Sequence, residues 1–265
     1  MTVSLPCPAP ALAGKVLLVS GGTQGVGAAV VRAGVTAGAA VMFSGRNAER
    51  GKLLAAEFGS DADIRFLATD LSDPNAAADT VAATVAEFGR IDCLVNAAGL
   101  TTRGTLLDTT EELFDEHVAI NLRAPFFTMQ AAVRDMVSRG AAGSIVNIIT
   151  MSSHGGQPFL APYVASKAGL AGLTRNAAHA HRWDRIRING LNIGWTETEG
   201  ETEIQKRFHG ADDGWIAEAN ASVPMGKLGQ PDEIADFVVF LLSDRSGVVT
   251  GSIIDWDQIV VGGLD

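Results

Sequence analysis

Short apolar runs alternate along this chain with longer stretches in which apolar positions recur at helical spacing. KVLLVS (15–20), AVMFS (40–44), IRFLA (64–68), IDCLV (91–95), SIVNIIT (144–150), RIRINGLN (185–192) and GSIIDW (251–256) predict strands. Helices are predicted over 25–37, near 47–58, over 74–88 behind Pro74, near 110–120, and over 122–139, 162–181 and 231–242. The polar segment 196–222 predicts one or two short helices. It follows the carboxyl end of a strand and reads as an insertion over a site, or else as an ordinary surface loop. Alternating strands and helices imply parallel βαβ units. The expected fold is therefore α/β: a single-domain, Rossmann-like, doubly wound parallel sheet with helices on both faces. Ligands in such sheets sit at the carboxyl ends of the strands, near the switch point.

Size and charge narrow this picture. A chain of 265 residues, 47% apolar, can bury one core but not two large ones. Residues 1–11, rich in proline, are expected to form a flexible arm, and residues 12–265 the folded domain. The net charge of −10 disfavours nucleic acid and anionic membranes, leaving small molecules and copies of the chain itself as partners. Cys7 and Cys93 have no metal-type spacing, so a reducing cytoplasmic location is expected. The first residues lack the basic and apolar regions of a secretory signal. Residues 140–166 carry no Asp, Glu, Lys or Arg, but glycines and prolines interrupt them, so no membrane span is expected. His179 and His181 lie two apart on a predicted helix and do not face each other, so no metal is assigned.

Candidate chemistry begins after the first strand. In SGGTQGVGAAVV, Gly21, Gly25 and Gly27 give a GxxxGxG spacing between strand and helix. That context lets a pyrophosphate approach the main chain and a helix N-terminus, although a tight turn would use the same glycines. An acidic residue at the end of the second strand would hold a free ribose 2′-hydroxyl. FSGRNAER offers none; it has Arg46, which can pair with a phosphate, and Ser44, which can add a hydrogen bond. NADP(H) is favoured over NAD(H) on this ground; the plain alternative is a solvated arginine in a turn.

Tyr163, the chain's one tyrosine, precedes Lys167 by one helical turn. A free phenol titrates near ~10, and a neighbouring cation favours its phenolate. The pair could then exchange a proton with a carbonyl or alcohol oxygen. A helix with one amphipathic tyrosine and an unrelated surface lysine would show the same spacing.

Several motifs appear in order: SGGTQGVG (20–27), Asp70, NAAG (96–99), Asn121 in AINLRAPF, YVASK (163–167), NIGWTET (192–198) and GKLGQPDEIADFVVFLLSDRSGVVTG (226–251). In this the chain resembles the classical short-chain dehydrogenase/reductase family over nearly its whole length. The resemblance implies that Tyr163 is the general acid/base and that Lys167 lowers its pKa and holds the nicotinamide ribose. It implies that Asn121 anchors a water in a proton relay, where a helix kink or turn cap is the alternative. Gly21, Thr23, Gln24, Gly25, Val26, Gly27 and Leu71 would bind the cofactor, the glycine turn at its pyrophosphate, and Asp70 would hydrogen-bond the adenine. Asn96 would support the central sheet and cofactor, and Ala97 and Gly99 would bind the cofactor. Thr196 and Thr198 would meet the nicotinamide carboxamide and phosphate, or simply cap a helix. The substrate-orienting hydroxyl falls on Thr150, with Ser152 as the alternative. Ser20 stands where the family usually has threonine, and Ile193 where it usually has proline, which suggests a looser loop there. His154, Gln157 and Trp195 are candidate substrate contacts, suited to a sugar or polyol. The implied activity is carbonyl–alcohol interconversion with NADP(H). An NAD-dependent alcohol or polyol dehydrogenase and a non-catalytic nucleotide-binding redox sensor are the alternatives. Residues 231–242 and 251–256 would build a homotetramer or homodimer.

Overall fold

The computed structural model describes residues 10–262. The expected N-terminal arm lies almost wholly outside the described residues, as does Cys7. Leu12 is fully buried, and its amide donates to the Ala37 carbonyl at 2.8 Å. From there the chain enters the first strand.

The strands are β1 (Val16–Ser20), β2 (Ala40–Gly45), β3 (Ile64–Ala68), β4 (Cys93–Asn96), β5 (Gly143–Thr150), β6 (Ile186–Ile193) and β7 (Ile253–Trp256). They form one sheet in the order β3-β2-β1-β4-β5-β6-β7, with every neighbouring pair parallel. The helices are α1 (Gly25–Thr36), α2 (Ala48–Ala56), α3 (Ala76–Phe88), α4 (Glu111–Val118), α5 (Ala124–Ser138), α6 (Ala161–His181), α7 (Glu199–His209), α8 (Trp215–Ala221) and α9 (Pro231–Leu242). This is the expected doubly wound sheet. Strands buried on both faces read as continuous apolar runs, which is why KVLLVS and SIVNIIT were legible. Leu17, Val19, Val41 and Phe43 pack on one face with α1 and α9. Leu18, Leu94, Ile145 and Ile149 pack on the other with α3, α5 and α6.

The sheet order reverses between β1 and β4. The carboxyl ends of these two strands are in register at Ser20 and Asn96, and the cavity opens beyond them. A π-helical turn, Ala119–Arg123, joins α4 to α5, so the two predicted helices are one bent path. The looser loop expected at Ile193 does not occur. Ile193 pairs with Thr150 and Trp256, and the Gly194 amide donates to the Trp256 carbonyl at 3.2 Å. A β-branched residue suits the strand, where proline would have removed a ladder donor. Residues 196–222 supply α7 and α8, and α7 lies along the cavity mouth. Among the described residues no helix is long and apolar enough to cross a membrane.

Candidate active site

The turn from β1 into α1 is shaped by close approach. Gly21 has φ +86°, and a Cβ there would lie 2.4 Å from the Ala98 amide nitrogen. A Cβ on Gly27 would lie 2.0 Å from the Gly21 carbonyl oxygen. The Ser44 carbonyl accepts from the Gly21 and Gly22 amides at 3.0 and 2.8 Å, which fixes the loop against β2. No side chain caps α1 and no acidic residue stands in its first turn. Its free N–H groups and positive end therefore face a cavity of about 1410 Å³, as an anion site requires.

Of the expected cofactor residues, Gly21, Thr23, Gln24, Gly25, Val26, Gly27, Arg46, Asp70, Leu71, Ala97, Gly99, Tyr163, Lys167, Thr196 and Thr198 all line this cavity. Arg46 is exposed and makes no hydrogen bond among the described residues. The Asp70 carboxyl accepts from the Ser72 amide at 3.0 Å, and the Ser72 backbone and side chain hold it below the usual carboxylate range. Thr198 also caps α7, its hydroxyl accepting from the Glu201 amide at 3.0 Å. Thr196 donates to the Gly194 carbonyl at 2.9 Å.

One expectation fails on orientation and a second holds only in part. Ser44 is fully buried, its hydroxyl sealed inside the fold without a partner, and it does not reach the cavity. Asn96 is 3% exposed and donates to Asn147 Oδ1 at 2.8 Å, so its side chain supports the sheet by tying β4 to β5 but does not line the cavity.

Tyr163 and Lys167 share the inner face of α6. The Thr150 hydroxyl, at the end of β5, accepts from the Ser152 amide at 3.2 Å and stands close enough to the Tyr163 phenol to draw its pKa down. Ser152 also lines the cavity, but its hydroxyl donates to Gln157 Oε1 at 2.5 Å. Tyr163 keeps part of its surface on the cavity. Burial of the rest pushes the phenol up to about 12, against the pull of Thr150; Glu201 raises it further and Arg103 lowers it. The expected lowering by Lys167 is therefore not found. The lysine Nζ lies 6.0 Å from the ring centroid and donates to the Ile148 carbonyl at 2.8 Å. Asn121 is fully buried on the π-helical turn, away from the cavity wall. Its amide clasps Leu100, accepting from that residue's N–H at 2.8 Å and donating to its carbonyl at 3.0 Å.

Beyond Tyr163 the wall carries His154, Gln157 and Trp195, together with Arg103, Phe159, Glu201, Gln205 and His209. His154 Nε2 is 3.0 Å from Asp255 Oδ1 and 3.1 Å from Asn192 Nδ2, a tie to β7 and β6 that draws the ring aside.

A family model described as enoyl-(acyl carrier protein) reductase matches residues 21–258. Curated relatives span the chain as well. An NADP-dependent (R)-specific alcohol dehydrogenase from Lentilactobacillus kefiri is 32% identical over 243 residues, covering 91% of this chain and 94% of that protein. The chain belongs to the short-chain dehydrogenase/reductase family. Another relative of this dehydrogenase, a gluconate 5-dehydrogenase from Gluconobacter oxydans, is 34% identical over 256 residues, with coverage of 96% and 95%. A solved structure of a candidate short-chain alcohol dehydrogenase from Sinorhizobium meliloti 1021 superposes with a TM-score of 0.85 at 33% identity, covering 95% of this chain and 98% of that one. Members of the family interconvert alcohols and carbonyls by oxidoreduction, and the chain is an oxidoreductase of this kind.

Burial of Lys167 has an energetic consequence for this dehydrogenase. Burial lowers its pKa from 10.5 to about 8. The buried ammonium therefore costs stability below pH 8, on the order of 3 kcal/mol. That cost shrinks as pH rises from 8 towards 10.5, where only the unfolded chain still holds the proton. Lys167→Met is expected to unfold at higher denaturant than the parent at pH 7, with the gain smaller at pH 9.5. A variant less stable than the parent at pH 7 would mean that the bond to Ile148 outweighs the desolvation.

Sequence reasoning missed Arg103, Glu201 and His209 as individual residues. The spacing of Glu201, Gln205 and His209, four apart on one face of α7, was the available signal.

Proposed function

We propose that this enzyme is an NADP(H)-dependent oxidoreductase interconverting a carbonyl and a secondary alcohol on a small polyhydroxylated substrate, with Tyr163 as the acid/base. The observation that carries the reading is that Thr150, Tyr163 and Lys167, the last two one turn apart on α6, line the same cavity as the glycine turn. Thr150 orients the substrate oxygen, since the Ser152 hydroxyl is engaged with Gln157. Gly21 to Gly27 hold the pyrophosphate, Asp70 and Leu71 the adenosine, Arg46 a 2′-phosphate, and Lys167, Thr196 and Thr198 the nicotinamide end. A nicotinamide dinucleotide held there supplies or takes up the hydride. In the oxidative direction the substrate hydroxyl gives its proton to Tyr163 Oη, and in the reductive direction the phenol returns it to the carbonyl oxygen. Asn121 holds the Leu100 backbone beside Lys167; a Cβ on Gly99 would lie 3.8 Å from Lys167 Nζ and 3.9 Å from Asn121 Oδ1. Supporting the cofactor preference are the absence of a carboxylate at the end of β2 and the NADP dependence stated for the Lentilactobacillus relative. Supporting the substrate class are the polar side chains of His154 and Gln157 beside the Trp195 indole on the cavity wall.

The test is a panel of carbonyls with NADPH and NADH, and of secondary alcohols and polyols with NADP⁺ and NAD⁺, read by nicotinamide absorbance. Turnover with the phosphorylated cofactor preferred is the expected result. Cofactor binding without turnover anywhere in the panel would make the chain a nucleotide sensor instead. A homodimer or homotetramer built on α9 and β7 belongs to the same proposal. It is supported by the position of β7 at the sheet edge and by Phe240, which α9 leaves 38% exposed.

A further inference from the structure

Past Tyr163 the cavity ends on an ion pair that neither proton transfer nor dinucleotide binding requires. Arg103 Nη2, in the loop after β4, lies 3.9 Å from Glu201 Oε1 on α7. The two side chains are only 13% and 19% exposed, so both charges are largely withdrawn from water. Each is fixed from behind. Glu201 Oε1 accepts from Trp195 Nε1 at 3.0 Å and from Gln205 Nε2 at 2.7 Å. Arg103 donates through Nη1 to the Thr101 carbonyl at 3.0 Å and through Nε to His209 Nε2 at 3.3 Å, and it lies 5.4 Å from the centroid of the Phe159 ring. Arg103 Nη2 and Glu201 Oε2 make no hydrogen bond among the described residues, and 3.9 Å is too long for one between the pair. The two charges are thus held close together but not closed on each other, and both line the cavity.

The chemistry of the gap discriminates between substrates. Buried charged groups left without partners are costly, so an apolar substrate would strand both. A carboxylate would suit the guanidinium fork but would stand beside the Glu201 carboxylate, whose like charge opposes it and offers it no donor. A hydroxyl both donates and accepts, so adjacent hydroxyls can accept from Arg103 and donate to Glu201 together. Trp195 and Phe159, on the same wall, offer aromatic surface to the carbon skeleton. We infer that Arg103 and Glu201 form a donor–acceptor clamp that selects a neutral polyol or sugar by adjacent hydroxyls and rejects the corresponding carboxylate. The inference rests on the oxidoreductase reading above and names the substrate class of that site. It also sets this chain apart from a gluconate enzyme.

The test uses matched pairs, glucitol against gluconate and xylitol against xylonate, with the parent, Glu201→Gln and Arg103→Gln. Both kcat/KM and dissociation constants by calorimetry with cofactor present are measured. The parent should favour each polyol by at least tenfold, about 1.4 kcal/mol. Glu201→Gln frees Arg103 for a carboxylate and should move the ratio about tenfold or more towards the aldonate. Arg103→Gln should weaken the polyol mainly through KM and leave the aldonate no better bound. Cofactor fluorescence confirms that each variant is folded. A parent that binds both members of each pair equally, or a ratio unmoved by Glu201→Gln, overturns the clamp. Absent turnover with the binding ratios as expected would overturn the oxidoreductase reading and leave the clamp standing.

Discussion

Tyr163→Phe is expected to lower kcat by about 10²–10⁴-fold, the range that a positioned acid/base contributes, while NADPH still binds. The substitution keeps the ring on the inner face of α6 and removes only the hydroxyl, which shares the cavity wall with Thr150. Lys167 keeps its bond to the Ile148 carbonyl, so the lysine should stay in place. Burial pushes the phenol up to about 12, so the protonated form dominates at neutral pH and is ready to give its proton to a carbonyl. Reduction should therefore be flat in pH where this group alone governs it. Alcohol oxidation needs the phenolate and should rise with pH, since a basic form grows tenfold per unit below its pKa. The variant should lose that rise along with its rate. Stopped-flow absorbance in both directions, with cofactor affinity measured by fluorescence, checks each part. Parental kcat in Tyr163→Phe would remove the acid/base role.

The pH behaviour shows where sequence reasoning reached its limit. That Tyr163 and Lys167 share a helix face follows from their spacing, and the structure places both on the cavity. Which effect wins at the phenol does not follow from spacing. It depends on where the lysine points and how much water the phenol loses. Nζ turns to the Ile148 carbonyl, and desolvation, not the lysine, governs the phenol. Strands were legible because strands covered on both sides must be apolar throughout. The same continuity hid the facing of individual residues: Ser44 and Asn96 lie in the expected segments with side chains turned into the fold. Asn121 was found by motif, but its clasp on Leu100 depends on a π-helical turn that no periodicity signals. Arg103 and Glu201 meet only through tertiary folding, and each alone reads as an ordinary surface charge.

Replacing Arg46 by aspartate should reverse the cofactor preference, and the surrounding structure makes this a clean test. The β2 strand delivers Arg46 next to the phosphate turn, because the Ser44 carbonyl binds the amides of Gly21 and Gly22. Gly45 lies tight against Thr23; a Cβ there would be 2.6 Å from the threonine methyl. Asn47, the next residue, caps α2 by accepting from the Arg50 amide at 3.0 Å, so Arg46 itself carries no structural bond. The other nearby guanidinium, Arg50, is committed to Glu199 at 2.8 Å and to Gln24 at 3.1 Å and is poorly placed to substitute. A charge-assisted pair with a 2′-phosphate is lost in Arg46→Asp, and a carboxylate that repels the phosphate and accepts from a free 2′-hydroxyl takes its place. The NADPH-to-NADH ratio of dissociation constants should swing by on the order of 10²-fold, the sum of a lost ionic hydrogen bond and a new repulsion. Since Arg46 is exposed, thermal stability should hardly change, so a lost preference cannot be assigned to unfolding. A parent that binds NADH more tightly, or a ratio that stays put in the variant, would show that the 2′-phosphate is recognised elsewhere or not at all.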